Sequence, residues 1–323
     1  MRIFHRIHHK LNWSGRRYIA TIIALMAIGY FASAIYHTYK PLPEGLDFEG
    51  RLRHANIKFL ADETYIDIQG RQQADQQIFN EMLKLIQEAR TTIVLDMFLY
   101  NPEIGAAKTT HRPLTQELTN ALISKRRQIP GIGITVITDP INSVYGGIAP
   151  EHYRQLRKSG IEVIETDLTP LRASNPLWSG FWYICCQGLG NNPEKGWLPN
   201  PFGQEKVTLR SYLHLINFKA NHRKTLVVDT EAGWKALVTS ANPHDGSSRH
   251  SNVALVVNGA TAADVLQTEA AVAQMSGSSS PSLILGDFEK DVSKPQVQVL
   301  TEGAIYEAVL KLINTAKPKE HLD

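Results

Sequence analysis

The sequence contains little cysteine, and that shortage excludes two classes of protein. Its 323 residues include only two cysteines, Cys185 and Cys186, and these are adjacent. Adjacent cysteines match neither a zinc-binding pattern nor the disulfide framework of a small secreted domain. We expect both to pack within an aromatic loop, with a vicinal or intermolecular disulfide as the alternative. The histidines and acids also lack metal-ligand spacing, so we predict no metal and no cofactor.

The sequence also lacks a large net charge. The formal net charge is only +3 at pH 7, which excludes a general surface for binding polyanions. Hydrophobic residues make up 43% of the chain and charged residues 20%, which is typical of a globular protein. The length allows one large domain or two ordinary ones.

Charged residues are missing altogether from residues 18–36 (YIATIIALMAIGYFASAIY). As a helix this run would extend about 28 Å, close to the ~30 Å hydrocarbon core of a bilayer. The preceding segment, residues 1–17, is basic, and the positive-inside rule then predicts a cytoplasmic N-terminus and an extracytoplasmic body. We therefore predict a single-pass membrane protein with a transmembrane helix over 18–36 and a linker over 37–60.

A cleavable signal peptide is the alternative for this N-terminal run. Residues 32–34 (ASA) fit the small-x-small rule of a cleavage site. The apolar run continues past that site to the length of a membrane span, which favours an anchor. Both alternatives export the body of the protein.

From residue 61 onward, strand-like and helix-like patterns alternate. TYIDIQ, TTIVLDMFLY, GIGITVITD and IEVIETD are typical of strands. Between them lie the apolar stripes of helices, in QADQQIFNEMLKLIQEAR, RPLTQELTNALISKRRQ and APEHYRQLRKSG. This alternation predicts an α/β fold with a mostly parallel or mixed sheet, and we assign the domain to residues 61–277.

Residues 170–206 interrupt the alternation with a stretch rich in Trp, Gly, Pro and Asn. A loop of that length is usually functional or disordered. Its aromatic side chains suit a flap that faces lipid beside the active site. Aromatics that cap the core beneath a long loop are the alternative.

The stretch 221–242 (NHRKTLVVDTEAGWKALVTSAN) gathers polar side chains at the ends of two apolar strands. His222 and Lys224 are two residues apart, so on one strand they share a face. A neutral imidazole can attack phosphorus, and a lysine supplies positive charge for phosphoryl oxygens. Ser240 and Asn242 offer hydrogen bonds to the same oxygens. Ordinary solvated residues would explain a lone His-x-Lys pair, but the longer pattern with Asp229 is more demanding.

This pattern resembles the H-x-K-x4-D signature of the phospholipase D superfamily, which is followed by a G-S-x-N-like element. Thr239 stands where that element usually has glycine. The wider stretch NHRKTLVVD…ALVTSANPHDGSSRHSNVAL is similar to the first catalytic motif of bacterial cardiolipin synthase-like members. The resemblance implies a sheet sandwiched between helices in α-β-α layers, and chemistry without a metal.

The resemblance also implies roles for the motif residues. His222 would attack a phospholipid phosphate and form a phosphohistidine, Lys224 and Asn242 would hold the phosphoryl oxygens, and Ser240 would add a hydrogen bond. Asp229 would orient the motif. We therefore expect a phosphatidyltransferase or phosphodiesterase whose partners are the membrane and its phospholipids.

Two alternatives to lipid chemistry remain open. An exported nuclease of the same superfamily would share the phosphodiester chemistry, but the near-neutral charge argues against nucleic acid as a partner. A non-catalytic membrane protein is favoured by the lack of a second H-x-K-x4-D motif.

An internal repeat bears on that second motif. Residues 78–96 and 305–323 share eight of nineteen positions in an ungapped alignment. We predict a linker over 278–295 and the start of a truncated second copy over 296–323. The mechanism needs two histidines, so we expect a half-enzyme that is weakly active or inactive as a monomer. A homodimer that joins two His222 sites is the alternative.

Overall fold

The computed structural model describes residues 14–104, 112–279 and 291–317. Residues 1–13 of the predicted basic segment, residues 280–290 of the predicted linker and residues 318–323 of the predicted second copy lie outside these ranges.

The chain divides into two compact units, which are described separately. The first consists of the described residues up to Pro41 together with Arg172–Gly190 and Leu209–Lys219. The second consists of Leu42–Leu171, Asn191–Thr208 and the described residues from Ala220 onward.

The described residues form helices in both units and strands in the second unit. The helices are α1 (Gly15–Tyr39), α2 (Gln77–Glu88), α3 (Leu114–Gln128), α4 (Glu151–Lys158), α5 (Pro176–Cys185), α6 (Leu209–Leu215), α7 (Gly259–Met275) and α8 (Gly303–Thr315). The strands are β1 (Arg53–His54), β2 (Ile57–Ile66), β3 (Gln72–Gln76), β4 (Thr92–Met97), β5 (Gly133–Thr138), β6 (Glu162–Glu165), β7 (Leu198–Pro199), β8 (Lys206–Val207), β9 (Lys224–Thr230), β10 (Gly233–Thr239), β11 (Asn252–Asn258) and β12 (Gln296–Val297).

The second unit is built on an eight-stranded sheet with the spatial order β3-β2-β11-β10-β9-β4-β5-β6. β4 pairs parallel with β5, and β5 pairs parallel with β6. β9 pairs antiparallel with both β4 and β10, and β11, β2 and β3 continue the antiparallel half. The sheet is therefore mixed, and β9, which carries the motif, lies at its centre.

Two apolar cores lie on opposite faces of this sheet. On one face, Met82 of α2 and Leu118 of α3 pack into a core that includes Leu226 of β9. On the other face, Val265 of α7 packs into a core that includes Val227, the next residue of β9. Alternate residues of a strand point to opposite faces, so β9 contributes to both cores. Helices on both faces of a mixed sheet confirm the predicted α/β fold with α-β-α layers.

A short strand pair joins the two ends of the second unit. β1 pairs antiparallel with β12, with Arg53 opposite Val297 and His54 opposite Gln296. The backbone N–H of Gly50 also donates to the carbonyl of Val299 at 2.8 Å. The start of the predicted second copy thus packs within the same unit as the motif. Its interpretation as a repeat stays a prediction.

The first unit consists of α1, α5 and α6. α1 is long and apolar enough to cross a membrane by length and composition, and it contains the predicted span 18–36. Its sidedness stays a prediction. The long loop 170–206 contributes α5 to this unit, and Cys185 and Cys186 at the end of α5 form a vicinal disulfide.

Candidate active site

His222 and Lys224 lie together at the edge of the sheet where β9 begins. Lys224 is the first residue of β9 and pairs with Met97, the last residue of β4. The backbone N–H of Phe98 donates to the carbonyl of Arg223 at 3.0 Å, which holds the segment before β9 extended beside β4. The Lys224 Nζ atom consequently lies 3.2 Å from His222 Nδ1 and donates to the His222 carbonyl at 2.9 Å.

An aromatic ring supports this pair. The Phe98 and His222 rings are 4.4 Å apart, and Lys224 Nζ lies 5.0 Å from the centre of the Phe98 ring. His222 is exposed at the surface, whereas Lys224 is only 7% exposed. The ammonium group is therefore held in a low-dielectric environment beside an accessible imidazole.

Burial shifts the protonation of both groups. Partial desolvation of its ring lowers the pKa of His222 below its usual value, and the neighbouring Lys224 charge lowers that pKa further. Burial also lowers the pKa of Lys224 to about 8, against an opposing effect from the Asp96 carboxyl. Near pH 7 the imidazole is consequently neutral and the ammonium is charged, which is the combination that attack on a phosphate ester requires.

A cavity of about 590 Å³ opens beside this pair. One part of its lining is polar, with the basic or hydroxylated side chains of His222, Arg223, Lys224, Thr239, Thr268 and Thr301 and the carboxyl groups of Glu269 and Glu302. Another part is apolar and comprises Val265, Val299, Leu300 and Ile305. A ligand with an anionic group and an apolar group would match both parts.

Arg223 adds positive charge to the cavity, and sequence reasoning overlooked it. Its guanidinium lies 3.5 Å from Glu269 Oε1 and 3.8 Å from Glu302 Oε1. Within the described part of the chain, neither Nη atom makes a hydrogen bond, although both are buried. Buried donors of this kind are costly unless they are satisfied, and phosphoryl oxygens would satisfy them.

A buried polar network fixes the backbone that leads into His222. The Asn221 side chain donates to both carboxylate oxygens of Asp96 at 2.9 Å, and its backbone N–H donates to Asp139 Oδ2 at 2.6 Å. Burial, together with the nearby Glu269 carboxyl, raises the pKa of Asp96 well above its usual range. Burial raises the pKa of Asp139 to about 7. The sequence signal that could have identified Asp96 and Asp139 is an acid within or just after an apolar strand, as in TIVLDM and ITVITD.

Asp229 lies at the opposite end of β9. Its carboxylate accepts hydrogen bonds from the backbone N–H groups of Thr91 and Thr92 at 2.9 Å and 2.6 Å, and from the Thr91 hydroxyl at 2.8 Å. Five residues of strand separate it from Lys224, a distance of roughly 17 Å. Asp229 therefore fixes the turn between α2 and β4 and does not meet His222.

Ser240 and Asn242 follow β10 and bond to protein groups. The exposed Ser240 hydroxyl lies 3.0 Å from Asn252 Oδ1 and accepts from the Val253 N–H at 3.1 Å. Asn242 Oδ1 accepts from the Leu99 N–H at 3.0 Å. Asn242 thus holds the residue next to Phe98, whereas Ser240 ties the end of β10 to β11.

A second cavity of about 590 Å³ is lined by Phe98, together with Glu103, Glu151, His152 and Glu205. Burial and the Glu205 charge raise the pKa of Glu103, and burial lowers the pKa of His152 to about 4. The described lining of this cavity includes no lysine or arginine. The cavity beside His222 also contains two carboxyl groups, Glu269 and Glu302, but Arg223 pairs with both. Carboxyl groups without a basic partner in the lining disfavour a phosphate, so the cavity beside His222 is the better phosphate site.

Metal-ligand groups do not gather at either cavity. Across residues 14–104, 112–279 and 291–317, no group of three His, Cys, Asp or Glu side chains is placed to hold a metal ion. Metal-free chemistry stays a prediction.

Neither a protein-family model nor a curated protein matches the chain. Among solved structures, the phospholipase D family member Nuc from Salmonella typhimurium is 12% identical, with 64% of this chain and 84% of that chain covered and a TM-score of 0.31. NucT from Helicobacter pylori is 10% identical, with 69% and 98% covered and a TM-score of 0.32. Polyphosphate kinase from Porphyromonas gingivalis is 12% identical, with 80% and 30% covered and a TM-score of 0.37. Likeness at this level establishes neither substrate nor reaction.

Proposed function

We propose that this chain is a phospholipase D-type phosphodiesterase or phosphatidyltransferase that acts on phospholipids, in the manner of cardiolipin synthase-like enzymes. The observation that carries the proposal is the placement of His222, Arg223 and Lys224 around one cavity. An exposed neutral imidazole is the nucleophile, and two cationic side chains neutralise the phosphate.

The reaction has two steps. In the first, an unprotonated ring nitrogen of His222 attacks phosphorus, an N–P bond forms, and the P–O bond to the head-group alcohol breaks. A general acid protonates the departing oxygen. In the second, water or another alcohol attacks phosphorus and transfers its proton to that group, now a base, and the N–P bond breaks. Lys224 and Arg223 hold the phosphoryl oxygens in both transition states.

Two features favour a phospholipid over other phosphodiesters. The apolar lining from Val265, Val299, Leu300 and Ile305 suits the glyceride part of a lipid. α1 has the length and composition to anchor the chain in the membrane that contains such lipids.

The proposal is tested by incubating the detergent-solubilised chain separately with phosphatidylglycerol and with plasmid DNA. Release of glycerol, or formation of cardiolipin, is the expected result. DNA nicking without lipid turnover would assign the chain to the nucleases, and turnover of neither substrate would contradict catalysis.

We predict that activity depends on pH in a bell-shaped manner. His222 must be unprotonated to attack, so kcat/KM rises as pH increases through its lowered pKa. Lys224 must be protonated to neutralise phosphate, so kcat/KM falls as pH increases through about 8. A Lys224→Arg variant, which keeps its charge above that pH, should lose the alkaline decline. An alkaline limb unchanged in that variant would contradict the role of Lys224.

We also predict that the general acid is His222 of a second copy in a homodimer. Co-expressing equal amounts of wild-type chain and His222→Asn chain tests this, because random pairing leaves about a quarter of the dimers fully wild-type. Activity per chain should fall to about 25% of wild-type if each site needs both histidines, and to about 50% if subunits act independently. Full activity in an isolated wild-type monomer would also contradict the dimer.

The orientation of the chain in the membrane gives a further prediction. Because basic residues precede α1, a reporter fused after Asp323 should behave as exported. A reporter that replaces everything after Arg17 should remain cytoplasmic and serves as the control. A cytoplasmic signal from the Asp323 fusion would show that the predicted topology is wrong.

A further inference from the structure

The segment before α5 runs alongside α1 in the first unit. The backbone N–H of Ala173 donates to the carbonyl of His37, near the end of α1, at 2.8 Å. Four residues later, the carbonyl of Leu177 accepts from the hydroxyl of Tyr30 at 2.8 Å. Tyr30 precedes His37 by seven residues, or about 10 Å of helix rise. The chain therefore travels about 10 Å back along α1 by the first turn of α5.

α5 then returns along α1 to the level at which the segment began. A Cβ atom on Gly180 would lie 2.8 Å from the Cβ atom of Ala34, so the two helices approach as closely as this glycine allows. One turn further along α5, the Tyr183 ring stacks on the ring of His37, with centroids 3.5 Å apart. The segment thus forms a hairpin with both arms against the last part of α1.

The outer face of this hairpin is apolar. Leu177, Phe181 and Ile184 are 70%, 47% and 60% exposed. They continue the apolar surface of α1, where residues such as Ile28 and Ile35 are equally exposed. Residues 173–185 contain no charged side chain. Water disfavours such a continuous apolar surface, whereas hydrocarbon accommodates it.

Two polar side chains at the turn are paired inside the unit. The Asn175 side chain donates to the carbonyl of Ile216 at 3.0 Å, and the Trp178 indole N–H donates to the carbonyl of Leu213 at 2.9 Å. These two hydrogen bonds also satisfy the carbonyls of Leu213 and Ile216, which lie near the end of α6. Internal pairing is what a hydrocarbon environment requires of a turn.

Charged side chains mark the opposite end of the hairpin. Arg172 Nε donates to the carbonyl of Lys40 at 3.0 Å, and Lys219 Nζ donates to the Tyr183 hydroxyl at 2.7 Å. These cations therefore lie near the end of α1, at the level where the segment enters and leaves. Lysine and arginine favour this position at the boundary between hydrocarbon and head groups.

We propose that residues 172–185 form a re-entrant membrane segment, which enters the hydrocarbon beside α1, turns at residues 175–176 and returns to the same surface as α5. Its depth of about 10 Å is roughly a third of the ~30 Å hydrocarbon core. The occupant of the face formed by Leu177, Phe181 and Ile184 is lipid acyl chain. This proposal rests on α1 lying in a bilayer, and it is independent of catalysis at His222.

Photocrosslinking in liposomes tests this proposal. The full chain carries p-benzoylphenylalanine at Leu177 or Phe181, two exposed positions where the larger ring fits without repacking. The matched control carries it at Ile68, which is 97% exposed in the second unit. After irradiation, mass spectrometry identifies the adducts and the part of the lipid that is attached.

The expected result is an acyl-chain adduct at Leu177 and Phe181 and no lipid adduct at Ile68. A crosslink to a second copy of the chain would overturn the proposal, because that face would then be a subunit interface. Absence of any adduct at both positions, while α1 labelled at Ile28 does form one, would place the hairpin in water and overturn it too.

Discussion

Replacing His222 with asparagine should abolish phosphodiester cleavage, with kcat lowered about 10⁴-fold or more. Asparagine has no ring nitrogen that can form a phosphohistidine, so the first step has no nucleophile. His222 is exposed, and its partners are Lys224 and Phe98 at the cavity edge, so the fold should not depend on it. Head-group release from phosphatidylglycerol, measured beside the melting temperature, gives both results.

His250→Asn is the matched control, because His250 is also exposed and contributes to neither described cavity. This variant should keep wild-type activity. Trapping of a radiolabelled phosphatidyl group by acid quench should label the wild-type chain and not His222→Asn. Residual activity within a few-fold of wild-type in His222→Asn would remove His222 from the mechanism.

The alternation of side chains along a strand made part of the site predictable from the sequence. Because side chains alternate along a strand, His222 and Lys224 had to share a face, and the structure places them 3.2 Å apart. The same rule separates Asp229, which is five residues from Lys224 and lies at the other end of β9. In the H-x-K-x4-D pattern, His222 and Lys224 thus lie together, whereas Asp229 stabilises the turn between α2 and β4 at the other end of β9.

Other parts of the site depend on tertiary contacts that no local pattern encodes. Asp96 and Asn221 are 125 residues apart in the sequence, and only the pairing of β4 with β9 brings them together. Arg223 carries no distinctive signal between His222 and Lys224, and its significance comes from buried Nη atoms beside Glu269.

Residues 170–206, the long aromatic stretch, also make a tertiary contact that no local pattern encodes. Its composition indicated either lipid contact or a cap on the core, but not a helix of its own against α1. That contact depends on Gly180 facing Ala34, two small residues that lie far apart in the chain. Composition therefore did not indicate the helix against which the segment packs.

Replacing Lys224 with methionine should lower kcat by about 10²- to 10³-fold, since removing one preorganised donor from a charged transition state has roughly that effect. Lys224 is 7% exposed and burial already lowers its pKa to about 8, so the folded chain holds a cation at an unfavourable position. Methionine fills a similar volume without charge, and the melting temperature should therefore stay constant or rise.

A loss of activity with retained or increased stability is the combination that identifies a functional rather than a structural lysine. Lys235→Met, on the neighbouring strand β10, removes the ion pair to Glu88 of α2; it is the control and should leave kcat unchanged. Equal activity of Lys224→Met and wild-type, or a melting temperature that falls together with activity, would contradict a role for Lys224 in holding the phosphate.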